Sequence, residues 1–576
     1  MASVRTSFTI FAHTSTLNVQ FEQMEIQDSF IQLIENSIRQ HWDMAALTDY
    51  KGTTLQYKDV ARKIEKMHLL FRQVGIQPGD KIALCGRNSA NWTVTFLGII
   101  TYGAVAVPIL HEFKADNVHH IVNHSESRLL FVGDQVWENF NERDMPLLEG
   151  IVELKHFELV VSRSEELTYF RNHLNEEFGK KYPCRFRAEH VSYRREQPEE
   201  LAIINYTSGT TGYSKGVMLP YRALLSNITH IDRNVRLEPG DNVVSMLPLG
   251  HIFGLVFDFL YGITAGAHLW FLTRMPSPKI IAESFAVIRP RVIACVPLVV
   301  EKIIKKNVLP QVDNTMGKLL LQLPIISDRI KSAIRQQAME VFGGNFKEIV
   351  IGGAPFNAEM EAFLRKIGFP YTSGYGMTEC APFICYSNWN ELPYTSCGKT
   401  VLNMETKVLS PDPEHIPGEL VCRGTNLMLG YYKNPEATAE AIDAEGWLHT
   451  GDMAVKDANG FVYIKGRCKN MLLTASGQNI YPEEIESKLN NMPCVAESLI
   501  ILSGSKLVAL VYPDNDEVFA QGLDGRQLEA VMETNRNNLN ATLPAYSQIT
   551  RIKLYPEEFE KTAKKSIKRY LYQNEE

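Results

Sequence analysis

The chain has 576 residues, too many for one hydrophobic core, so three or four domains or subdomains are expected, with room for a large site between lobes. Apolar residues at 45 % and charged residues at 22 % are ordinary globular values, and a net charge of −7 with no basic domain argues against a dedicated nucleic-acid binder. Nine scattered cysteines, at 85, 184, 295, 380, 385, 397, 422, 468 and 494, show no CxxC pair and no zinc spacing, which points to free thiols in a reducing cytoplasm.

At the N-terminus "MASVRTSFTIFAHTSTLNVQFEQ" has an apolar run around Phe8 to Ala12 that His13 breaks, too short for a secretion signal. Residues 1–24 are read as a leader foreign to the native fold, with Met24 equally able to serve as the start. From Leu55 to about Leu110 helical and strand patterns alternate. "YKDVARKIEKMHLLFRQVG" places Val60, Ile64, Met67 and Leu70 on one helical face and stops at Gly75. "DKIALCG" then reads as a strand, "NWTVTFLGIITYG" as an apolar helix and "AVAVPIL" as a strand, the alternation of parallel strands with crossover helices.

The pattern recurs at Arg128 to Val132, and again at Leu201 to Tyr206, after which comes "YTSGTTGYSKG". Gly209 and Gly212 let backbone N–H groups crowd an anion, Thr207, Ser208, Thr210 and Thr211 add donors, and Lys215 adds a positive charge. That suits phosphate, although a Gly/Ser/Thr surface linker has the same composition. No GxxxxGK[ST] occurs, so this is not a Walker A loop.

Ile252 to Leu272 is long enough to span a bilayer, but Asp258 near its middle and glycines at 254, 262 and 266 favour a buried helix followed by the buried strand "AHLWFL". Farther on, Ile330, Ile334, Ala338 and Val341 share a helical face, "KEIVIGGAP" gives a strand and glycine turn, and a short helix from Asn357 to Lys366 leads to "PYTSGYGMTE". Past Cys397 short strands and turns suggest a β-rich subdomain. A last module begins near Arg467 as a compact α+β unit, with a helix from Gly525 to Leu539 and Tyr570 to Glu576 read as a frayed tail.

Five segments, in this order, resemble the adenylate-forming (AMP-binding) superfamily and within it bacterial long-chain fatty acid–CoA ligases: "YTSGTTGYSKG", "YGMTE", "GWLHTGD", "GRCKNMLLTASGQNIYPEEIE" and "KTAKKSIKR". By their order and spacing the resemblance covers nearly the whole chain, from about Ser29 to Arg569. The resemblance implies an α/β fold: a large N-terminal domain, 25–466, of parallel-sheet α/β subdomains plus a β-rich subdomain, and a small mobile α+β C-terminal domain, 467–576. It implies an acid–thiol ligase that uses ATP, Mg²⁺ and CoA. In family terms Thr207, Ser208, Gly209, Thr210, Thr211 and Gly212 with Lys215 would hold the β and γ phosphates, Thr378 would meet the α-phosphate, and Glu379 would ligate magnesium. Gly353 in "IGGAP" and Gly374, Tyr375 and Gly376 in "SGYG" would form the adenine slot, with Tyr375 against the base. Asp452 would accept the ribose hydroxyls beside Arg467, and His251 would lie near the acyl carbonyl. Lys469 matches the family hinge, and Gly477 would let the pantetheine arm of CoA pass.

One departure stands out. The family's C-terminal lysine, which bridges substrate carboxylate and α-phosphate, falls here on Ser566; a shift of one residue would let Lys565 serve. Aromatic and aliphatic side chains after His251 suit an apolar acyl tail, so a medium- or long-chain fatty acid is the expected substrate, with an aryl acid open. The rival functions are loading of an acyl carrier protein, a catalytically impaired nucleotide- or acyl-binding protein, and a luciferase-like oxygenase. Peripheral membrane contact stays open.

Overall fold

The computed structural model describes residues 29–207, 214–273, 278–312, 328–473, 479–504, 506–561, 567–573 and 575. Among these residues the largest sheet has eight strands, in the order Gly430–Tyr431, Lys215–Pro220, Leu201–Thr207, Val105–Ile109, Lys81–Cys85, Leu129–Val132, Gly150–Glu153 and Leu159–Ser162. The five from Leu201–Thr207 to Gly150–Glu153 run parallel. They are covered on both faces, which is why their sequences read as apolar runs rather than alternation. The helix Tyr57–Gln73 buries Val60, Ile64, Met67 and Leu70, the face its periodicity predicts. Helix Ala90–Tyr102 is buried along nearly its whole length; the Ser89 hydroxyl accepts from the Trp92 amide at its start, and Gly103, at φ 94°, ends it in a conformation that a side chain would strain.

A second sheet runs Thr54–Gln56, Ala45–Asp49, His268–Phe271, Asn242–Ser245, and a bridge from Val243 to Val292 continues it to Ile293–Cys295, Ile349–Ile351 and Tyr371–Ser373. Helix Ala90–Tyr102 ties the two sheets together. Trp92 stacks on Phe96 with centroids 5.7 Å apart, and Phe96 meets Phe259 edge-on at 5.8 Å. Fully burying such a ring stabilises by about 1.5–3 kcal/mol.

The apolar stretch from Ile252 does form a buried helix and strand. A helical turn Ile252–Gly254 passes into a wider π-helical stretch, Leu255–Tyr261, then Gly262–Thr264 and the strand His268–Phe271. No helix among the described residues is long and apolar enough to cross a membrane. The β-rich texture after Cys397 folds as an antiparallel sheet of Met404–Leu409, Gly418–Gly424, Leu448–Lys456 and Val462–Arg467.

Toward the C-terminus, strands Val495–Ser503, Lys506–Pro513 and Arg551–Leu554 pack against helices Pro482–Leu489 and Gly525–Ala541 around their own core of Ile485, Leu489, Ile500, Met532 and Leu539. The expected frayed tail is corrected at Tyr572. Its ring is buried against Tyr555 and Phe559, at 5.5 Å and 5.2 Å, and its hydroxyl oxygen accepts from the Glu560 amide at 2.7 Å. Apolar area and a satisfied hydroxyl hold this part of the chain down.

Asp258 lies fully buried in the π-helical stretch, where one carboxyl oxygen accepts from the Leu247 amide at 3.3 Å and the other has no partner. Burial pushes its carboxyl well above the usual range. The folded chain therefore holds this proton more tightly than the unfolded chain, so the stability it contributes is full below the unfolded aspartate pKa and lost as pH rises through the folded value. Asp258→Asn is expected to lack that loss: in thermal unfolding followed upward from about pH 4, wild-type stability should fall relative to the variant. Parallel curves would refute the assignment.

Candidate active site

Strand Leu201–Thr207 pairs antiparallel with Lys215–Pro220, with Thr207 facing Lys215 in register. Ser208, Gly209, Thr210, Thr211 and Gly212 lie outside the described residues. Asn205, buried in the strand, donates to the Gly250 carbonyl at 2.9 Å, and Asn88 accepts from the Leu249 amide at 3.0 Å while donating to the Leu247 carbonyl at 2.7 Å. These amides fix the irregular turn that carries His251 into the helical turn Ile252–Gly254. His251 thus follows a residue, Gly250, that is tied to the C-terminal end of strand Leu201–Thr207.

The "IGGAP" and "SGYGMTE" segments leave neighbouring parallel strands, Ile349–Ile351 and Tyr371–Ser373, on the same side, and the Gly374 amide donates to the Ile351 carbonyl at 2.9 Å. Gly353 has φ 86°, which explains its glycine without any ligand. Gly376 has a similar reason: a Cβ there would sit 2.0 Å from the Pro382 carbonyl oxygen, because Tyr375–Gly376 pairs with Phe383–Tyr386. A turn, Thr378–Cys380, then buries Thr378 and Glu379. Asn227, fully buried on helix Tyr221–Val235, holds this turn by accepting from the Phe383 amide at 3.0 Å and donating to the Cys380 carbonyl at 3.2 Å.

Glu379 and Lys215 meet on a residue that no sequence pattern singles out. The Tyr431 hydroxyl donates to Glu379 Oε1 at 2.8 Å, and the Lys215 ammonium lies 4.8 Å from the centre of the Tyr431 ring. Among the described residues no cluster of three or more His, Cys, Asp or Glu could cage a metal. A single half-anchored carboxylate fits magnesium that draws its other ligands from phosphate and water.

Asp452 and Arg467 face each other on adjacent antiparallel strands, joined by Arg467 Nε to Oδ1 at 2.9 Å. The Tyr375 hydroxyl donates to the other oxygen, Oδ2, at 2.5 Å. Burial raises the Asp452 carboxyl above its ordinary pKa; the Arg467 cation and the Tyr375 hydrogen bond oppose this, while the Glu483 and Glu379 carboxylates add to it. Lys469 occupies the turn Cys468–Asn470, whose Asn470 donates to Glu483 at 2.6 Å. Gly477, Lys565 and Ser566 lie outside the described residues. Around the last two, Lys561 pairs with Glu497 and Glu558, Lys568 with Glu560, and Arg569 with Glu486.

The family described as AMP-binding enzyme matches residues 34–432. Long-chain-fatty-acid–CoA ligase ACSBG2 of Homo sapiens is 25 % identical over 505 residues, covering 83 % of this chain and 74 % of the relative. Long-chain-fatty-acid–CoA ligase 1 of Homo sapiens is 28 % identical over 563 residues, covering 88 % and 78 %. Among solved structures, the anthranilate CoA ligase AuaEII in complex with anthranoyl-AMP superposes with a TM-score of 0.74 at 20 % identity, covering 94 % of this chain and 96 % of that one. Mycobacterium tuberculosis fatty acyl CoA synthetase does so with a TM-score of 0.63 at 20 % identity, covering 95 % and 98 %.

Arg467 favours the ionised form of Asp452, so Arg467→Ala should raise the carboxyl further. If the ionised carboxylate is what receives a nucleotide, affinity is lost as pH falls through the folded pKa. The acid limb of AMP binding should therefore move to higher pH in the variant, read by calorimetric titration across about pH 4–8; an unmoved limb would assign that titration to another group.

Proposed function

The chain belongs to the AMP-binding enzyme family, and on that footing we propose that it activates a carboxylic acid with ATP and passes the acyl group to CoA as a thioester. The acid we infer is a medium- or long-chain fatty acid. Support comes from the names of the ligases described above and from the aromatic wall behind His251. Phe253 and Phe257 lie 6.0 Å apart, both meet Phe383, and Phe253 closes to 3.1 Å of the Cβ that Gly352 lacks.

The observation that best supports the reading is the pair of anchored carboxylates. Asp452 is buried between Arg467 and Tyr375, and Glu379 is held by Tyr431 next to Lys215. In the first step a carboxylate oxygen attacks the α-phosphorus and the bond to pyrophosphate breaks, leaving an acyl-AMP mixed anhydride. Both reactants are anionic, so cations and donors must stand where charge gathers. Lys215, Thr207 and the loop Ser208 to Gly212 take the β and γ phosphates, and Thr378 takes the α-phosphate. Magnesium, when bound at Glu379, supplies charge neutralisation at the phosphate oxygens. Asp452 accepts the ribose hydroxyls, Arg467 favours its ionised form, and Gly353, Gly374, Tyr375 and Gly376 border the adenine.

In the second step the CoA sulfur attacks the acyl carbon, its proton leaves, and AMP departs with the electron pair of the broken anhydride bond. Lys469 acts as the hinge that exchanges the working face of the small domain, His251 stays beside the acyl carbonyl, and Gly477 gives the pantetheine arm room. Ser566 is the feature that favours a second reading, a protein impaired in adenylation, and Lys565 is our assignment for the missing cation.

The test is pyrophosphate release with a series of fatty and aryl acids, with CoA or with acyl carrier protein. Release with fatty acid and CoA is expected. Lys565→Ala should lower it by about 10²-fold while Lys564→Ala changes it little. Nucleotide binding with no release for any acid would establish the impaired reading instead.

A further inference from the structure

We propose that Tyr431 is a positioning residue that sets the Glu379 carboxylate and the Lys215 ammonium at one fixed spacing, so that its hydroxyl governs magnesium use and its ring governs the hold on phosphate. The proposal rests on the adenylating function above. Tyr431 has little freedom of its own. It sits on the short edge strand Gly430–Tyr431, paired with Val217 and Met218, two residues beyond Lys215 in the same ladder. Its amide donates to the Thr438 hydroxyl at 2.9 Å, and the next amide, of Tyr432, donates to the Gly216 carbonyl at 2.8 Å. Gly430, at φ 136° and with Thr438 only 2.7 Å from its absent Cβ, locks the approach. The side chain is 9 % exposed.

From this footing one side chain reaches two groups that lie 164 residues apart in the chain. The hydroxyl donates to Glu379 Oε1 at 2.8 Å, while the ring face receives Lys215 at 4.8 Å. The backbone supports the same link, since the Met428 amide donates to the Glu379 carbonyl at 2.8 Å. A neutral phenol can orient a carboxylate without cancelling its charge, and the second oxygen is left to face a cation. An ionised carboxylate can only accept, so at 2.8 Å from Glu379 Oε1 the Tyr431 hydroxyl is the donor. The ring holds the lysine by cation–π attraction, which keeps its charge available in the same way.

Two variants separate the two roles. Tyr431→Phe keeps the ring and removes the hydroxyl; Tyr431→Leu removes both. ATP and AMP binding are measured by calorimetry with and without MgCl₂, alongside the Mg²⁺ concentration that gives half-maximal pyrophosphate release and the melting temperature. Tyr431→Phe is expected to raise the Mg²⁺ requirement, and to weaken ATP binding only in the presence of Mg²⁺, by about tenfold or more, with AMP affinity unchanged. Tyr431→Leu should in addition weaken ATP binding without Mg²⁺. Lowered melting temperature and lowered rate in both variants, with the Mg²⁺ dependence untouched, would reduce Tyr431 to packing and overturn the proposal. A wild type that binds MgATP yet releases no pyrophosphate would instead overturn the reaction, and the calorimetric comparison would still decide the role of Tyr431.

Discussion

Irregular backbone can lie between two packed sheets only if its amide and carbonyl groups find partners there, and buried asparagines meet that requirement in this fold. Asn88, Asn205 and Asn227 are 8 %, 2 % and 0 % exposed. The first two satisfy the turn from Leu247 to Gly250, and the third satisfies the turn that bears Glu379. An amide both donates and accepts, so a single side chain can close two backbone orphans, each of which would otherwise cost about 1–3 kcal/mol. The regular strands and helices supply the rigid frame, and these contacts attach to it the segments that cannot be regular.

The two acids of the site are held alike. A tyrosine hydroxyl donates to one oxygen of each, Tyr375 to Asp452 and Tyr431 to Glu379, and burial raises both phenols so that they stay protonated. A lysine or arginine in the same place would fix the carboxylate but cancel its charge. Asp452 has Arg467 as well, and its surroundings differ in sign: burial, with Glu483 and Glu379, pushes against ionisation and raises the carboxyl, while Arg467 opposes the rise. The electrostatic balance at Asp452 thus depends on groups from both ends of the site.

Much of this architecture was legible in the sequence because it rests on period. The faces of Tyr57–Gln73 and the continuous apolar strands follow from burial patterns of 3.6 and from two covered sheet faces. Asp258 and its flanking glycines argued correctly against a membrane span, and the acid's acceptance of the Leu247 amide gives the reason it is tolerated inside. Motif order located Asp452 beside Arg467. Contacts between distant segments were not legible: Tyr431 lies 52 residues from Glu379, on a two-residue strand that has no periodicity to detect. Tyr572 looked like loose chain and is buried by two rings from upstream. In both cases the deciding neighbour lies beyond the reach of a local pattern.

Thr207 and Lys215 stand opposite each other in a hydrogen-bonded ladder, so the two feet of the intervening glycine-rich stretch are set at roughly 5 Å, the spacing of facing residues on paired strands. The position of the lysine is therefore set by strand pairing, a backbone property that substitution of its neighbours leaves in place, and the ammonium inherits that address from the sheet.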